Sequence, residues 1–218
     1  MVRIGGRHKG KTIPHIVEKA TVELRATRAQ QDPEATRALL AEILQQIQAA
    51  GSRIDTWELK PSSFDLIAKG LARTYRRGRQ ALNVAQSLPQ ATLIHEWRKQ
   101  LKTLWYQLEW LVPVWPPVLL AFAAEVHRLS EWLGIDHDLA VLEEHIQQEV
   151  LLKGRVQGKA ALRKAIEKYH AELHIQMFPL GQRIYTADSA AFVSQMRHYW
   201  EIWQTENMPA HHDAHTAS

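Results

Sequence analysis

The chain contains no cysteine, which excludes disulfide scaffolds, zinc ribbons, iron–sulfur clusters and thiol catalysis. Long hydrophobic runs are lacking as well. The longest uncharged stretch dominated by apolar residues, Trp110 to Ala124, has 15 residues and carries Pro113, Pro116 and Pro117. A membrane-spanning helix needs roughly 20 apolar residues, so no membrane span is expected. The basic N-terminal MVRIGGRHKGK has no apolar run behind it and does not read as a signal peptide. A soluble cytoplasmic protein is the expectation. No segment alternates apolar and polar residues with period two, which leaves β-sheet without support.

What is present is a globular composition, 45% hydrophobic and 23% charged over 218 residues. The formal charge of +4 conceals an asymmetry. Residues 69–102 hold eight bases (Lys69, Arg73, Arg76, Arg77, Arg79, Arg98, Lys99, Lys102) against one acid, Glu96. That block is +7 and the rest of the chain is −3. A basic block within a slightly acidic protein points to a polyanion.

Apolar residues recur at three and four positions, the mark of an all-α chain. About eight helices joined by short connections predict antiparallel helical bundles of long helices. A first helix is expected over Pro14 to Gln30. Pro33 then opens a second, with Leu39, Leu40, Ile43, Leu44 and Ile47 as its buried stripe and Gly51 interrupting or ending it. Pro61-Ser62-Ser63 precedes a helix from Phe64 to about Ser87, and Leu88-Pro89 separates it from one over Ala91 to Val112. Another runs from Pro117 to Leu133, stopped by Gly134, and Asp136 or Asp138 caps the next, to about Leu152. A long helix broken near Pro179 and Gly181 and a last one from Asp188 to about Thr205 complete the set. PAHHDAHTAS reads as a disordered tail.

The segment LIHEWRKQLKTLWYQLEWL is the most informative. On a helix His95, Arg98, Lys99, Lys102, Tyr106 and Glu109 fall within about 60° of His95, opposite Leu93, Trp97, Leu101, Leu104, Leu108 and Leu111. Solvated faces mix charge signs at i,i+4, whereas here Arg98–Lys102 and His95–Lys99 set like charges together. In GLARTYRRGRQAL, Arg73, Arg76 and Arg77 share one face. Consecutive helices pack antiparallel, so the two basic rows are expected to line one groove. Arginine forks, lysine point charges and the hydrogen bonds of His and Tyr suit a chain of phosphates.

These pieces resemble the CHAD family, the conserved-histidine α-helical domain. The resemblance lies in GLARTYRRGRQAL (70–82), HEWRKQLKTLWYQLEWL (95–111), LGIDHDLAVL (133–142) and LGQRIYTADSAAFVSQMRHYWEIW (180–203). It implies an all-helical fold around a basic channel that binds inorganic polyphosphate, with no catalysis and no cofactor. It also implies a targeting role, an association with polyphosphate granules, and partnership with triphosphate-processing domains of the CYTH type. Carried over by motif, His95, Arg98, Lys99 and Lys102 face phosphate, together with Arg73, Arg76, Arg77 and Arg79, although on an ideal helix Arg79 points away from the other three. Tyr106 and His137 are added as donors. Family members have two related halves, each with a His- and Arg-bearing helix, and only one such helix is found here. Residues 1–63 thus read as a remnant of the first half, 64–206 as the CHAD-like core and 207–218 as the tail. A homodimer is expected to complete the channel.

Other readings compete. His137-Asp138 invites a metal-dependent phosphohydrolase, which needs further ligands that no spacing supplies. Glu167-x-x-His170 is half of a di-iron motif with no second copy. His211, His212 and His215 lie in the tail. Trp97, Trp105, Trp110, Trp115 and Trp132 are expected in the core, opposite the cations, which leaves nucleic-acid binding non-specific.

Overall fold

The computed structural model describes residues 33–56, 63–148 and 156–207. Among these the helices are α1 (Pro33–Asp55), α2 (Asp65–Ser87), α3 (Ala91–Leu111), a 3-10 turn (Val112–Val114), α4 (Pro116–Gln147), α5 (Val156–Ile184) and α6 (Ser189–Asn207). The chain is all-α, and the described residues contain no strand. None of the described helices is long and apolar enough to cross a membrane. The expected helix over Pro14 to Gln30 and the His211, His212 and His215 tail lie outside the described residues.

The helices distribute over two units. One gathers α1 with residues 139–148 and 156–170, and the other gathers residues 63–138 and 171–207. In the first, Ile146, Leu162 and Ile166 form a small core with Leu139 and Leu142 against it. Arg163 Nε lies 3.8 Å from Glu143 Oε1. α1 begins at Pro33, as its fixed φ favours, and continues through Gly51. Its stripe is not a buried one, contrary to the sequence expectation: Leu39, Leu40, Ile43, Leu44 and Ile47 are all exposed and no residue of α1 is buried. Periodicity makes a helix amphipathic but does not supply the surface that covers it.

The second unit carries the main core. Leu71, Tyr75, Gly78 and Leu82 of α2 and Ile94, Trp97, Leu101, Leu104 and Leu108 of α3 recur every three or four residues and point inward. Leu119, Val126, Leu129 and Leu133 of α4, Met177 and Leu180 of α5, and Phe192 and Met196 of α6 complete it. Each fully buried Leu, Ile, Val, Met or Phe side chain contributes about 1.5–3 kcal/mol by leaving water. Two glycines set how closely the helices approach. A Cβ at Gly181 would stand 2.5 Å from the buried Trp97 ring, and one at Gly78 would collide with the Tyr185 hydroxyl.

Polar contacts fix the register. Buried Tyr75 donates its hydroxyl to the Ile184 carbonyl at 2.9 Å and stacks on Phe192 at 4.1 Å. Arg197 of α6 pairs with Asp65 at the start of α2, at 2.6 Å. Asp188 caps α6 by accepting the Ala190 and Ala191 N–H groups at 2.9 and 2.8 Å. Two expected breaks are absent. α4 runs unbroken through Gly134, and α5 through Pro179 and Gly181. A mid-helix glycine costs only about 1 kcal/mol, which the packing of α4 outweighs.

Candidate functional site

α3 lies between α2 and α4, and its contacts show which face meets each. On the α2 side, an ideal Cβ at Gly70 would meet Gln107 Nε2 at 3.9 Å. On the α4 side, Trp105 packs on His127 with ring centroids 4.2 Å apart. His95 packs on His137 at 4.7 Å, and a Cβ at Gly134 would meet the Arg98 guanidinium at 3.7 Å. Those three pairs fit one antiparallel register. Trp105 and Gln107 stand about 160° apart on the helix, so α2 and α4 flank α3 on opposite sides.

The cations of α3 therefore divide differently from the single groove expected with α2. His95 and Arg98 face α4, because their positions lie on the Trp105 side of the helix. Arg73, Arg76, Arg77 and Arg79 are exposed on α2. The Gly70–Gln107 register continued along the hairpin sets Arg73 and Arg77 beside the outer face of α3, away from His95 and Arg98. Arg79 sits one turn beyond Tyr75, close enough to act on its hydroxyl. Lys102 is partly buried, and Lys99 is exposed and paired with Glu96 at 2.5 Å. That pair is solvated on both sides, and such pairs contribute between about 0 and 1 kcal/mol. None of Arg73, Arg76, Arg77, Arg79, Arg98 and Lys102 forms an ion pair with a described residue.

Two polar atoms of this row are buried without a hydrogen-bond partner among the described residues, His95 Nδ1 and Arg98 Nε. Leaving such groups unpaired costs about 1–3 kcal/mol each. His95 is held below the usual histidine range, first by burial and then by the charges of His137, Lys99 and Arg98, with Glu96 opposing. Both causes favour the neutral form of the imidazole.

Residues 136–138 face three ways. Asp136, expected as a helix cap, is instead buried within α4, 1% exposed, and accepts a hydrogen bond from His174 Nε2 of α5 at 3.0 Å. His137 turns to His95, and Asp138 is exposed. Asp136 thereby anchors α4 to α5 and fixes the turn that presents His137. The sequence signal for this burial was present, since Asp136 continues the stripe of Leu129 and Leu133 at helical spacing, but its partner is 38 residues away.

The tryptophans also separate. Trp97 is fully buried, stacked on Phe178 at 5.7 Å. Trp110, expected in the core, is 83% exposed, and Tyr106 is half exposed one turn before it. Both lie on the outer face of α3. The angle of Trp110, about 60° from His95, was the available signal.

These elements define an all-α protein whose central helix turns a cationic row outward, with unpaired donors at its edge. The CHAD domain family matches residues 7–147, more than half of the sequence, and the chain belongs to that family. The match takes in 70–82, 95–111 and 133–142, ends before 180–203, and also covers residues 7–63. Neither a curated protein nor a solved structure matches the chain.

Proposed function

We propose that this protein binds inorganic polyphosphate along the seam of α3 and α4, without breaking bonds, as a targeting or scaffolding module. The observation that carries the reading is the pair of buried atoms on one turn, His95 Nδ1 and Arg98 Nε, which have no partner among the described residues, beside Lys102, which pairs with no described carboxylate. Arg98 offers a planar fork, Lys102 a mobile charge, and His95 and His137 directional N–H groups. A multivalent anion would satisfy these donors together, and family membership supports a phosphate chain as that anion. Arg73, Arg76, Arg77 and Lys99 extend the field over the outer face and draw the ligand in.

Titration with polyphosphate at rising ionic strength tests this. Counterion release gives a linear fall of log affinity with log salt, and Arg98→Glu or Lys102→Glu lowers the slope by about one unit. No orthophosphate is released with magnesium or manganese. A flat salt response overturns the electrostatic reading, and phosphate release abolished by Asp138→Asn favours a hydrolase instead.

A further inference from the structure

The outer face of α3 carries more than charge. Trp110 is 83% exposed and Tyr106 50%, in a protein that buries Trp97 completely. The two rings are one turn apart, about 6 Å along the axis, and follow Lys99 and Lys102 on the same strip of helix. Across the hairpin, the Gly70–Gln107 register brings Arg73 and Arg77 level with this strip. Glu109 is the carboxylate between the rings, and Glu96 pairs with Lys99 at the other end. Inorganic polyphosphate can accept from the Tyr106 hydroxyl but has no use for the faces of the rings, because it offers only oxygen atoms. A polyanion that carries flat apolar groups uses both features at once.

We infer that this face binds single-stranded nucleic acid, with bases stacked on Tyr106 and Trp110 and phosphates held by Lys99, Lys102, Arg73 and Arg77. A single strand is required, since paired bases keep their faces within the duplex. Stacking on aromatic side chains is indifferent to sequence, so binding follows the number of exposed bases and not their order. The shared lysines make nucleic acid and polyphosphate competitors, while the rings serve only the former.

The test compares three probes of equal phosphate number on the full chain: a thymidine oligonucleotide, an abasic oligonucleotide and inorganic polyphosphate. The thymidine strand binds more tightly than the abasic one, and quenches tryptophan fluorescence. Trp110→Ala weakens it by roughly 5- to 150-fold, Trp110→Phe recovers part of the loss, and both leave polyphosphate affinity unchanged. Both substitutions are on an exposed side chain, so folding is retained. Equal affinity for the abasic and thymidine strands overturns the inference, as does a Trp110→Ala effect common to all three probes. Binding of the thymidine strand without binding of polyphosphate leaves this inference standing and removes the proposed function.

Discussion

The imidazoles of His95 and His137 stand 4.7 Å apart, centroid to centroid and inclined at 38°, where α3 crosses α4. Two groups that gain charge on protonation are thereby placed in contact, with Arg98 and Lys99 also acting on His95. A folded protein holding His95 below its unfolded value of about 6.5 binds fewer protons than the unfolded chain, so stability falls as pH drops below that value.

Denaturant midpoints measured from pH 7.5 to pH 5 should therefore decline for the wild type and decline less for His95→Gln. Bound phosphate reverses the preference by favouring the imidazolium. Polyphosphate affinity should accordingly rise over the same descent in pH, and this rise should be reduced in His95→Gln. Identical pH profiles for the two proteins would make His95 a packing residue.

Asp136 should prove structural first and functional second. Asp136→Asn keeps the shape but weakens the acceptor for His174 Nε2, and should cost about 1–3 kcal/mol in urea unfolding. The freed turn of α4 should also loosen His137 from His95 and lower polyphosphate affinity under conditions where the variant is fully folded.

Two glycine-to-alanine substitutions should act with opposite signs. At Gly181 the added methyl meets the rigid Trp97 ring and should destabilise by about 1–3 kcal/mol, read as a lowered Tm. At Gly134 the nearest atoms are at an ordinary contact distance of 3.7 Å, in the middle of a continuous helix. Gly134→Ala should stabilise by about 0.5–1 kcal/mol without displacing Arg98.

Alkaline behaviour should report the Tyr75 anchor. Burial pushes its hydroxyl up to about 12, and Tyr185 beside it is raised as well. Folding energy is intact below the unfolded value of about 10 and is lost as pH rises through the window up to about 12. Phenolate absorbance should show delayed ionisation in the folded protein. Tyr75→Phe should remove part of that delay and cost about 1 kcal/mol at neutral pH through the lost bond to Ile184.

Helical class, the hairpin of α2 and α3, the core positions of Trp97 and Leu101, and the cationic row from His95 to Lys102 follow from sequence alone. Each is set by local spacing against a 3.6-residue turn, which requires no knowledge of neighbours. Continuity through Gly134 and Pro179, the exposure of Leu44 and Trp110, and the burial of Asp136 were decided by tertiary structure. So was the turning of His95 and Arg98 toward α4 instead of α2. For the polar groups the deciding contact is with a residue distant in the chain, His174 for Asp136 and His137 for His95. Periodicity tells which side of a helix is polar, but only packing decides what that side meets.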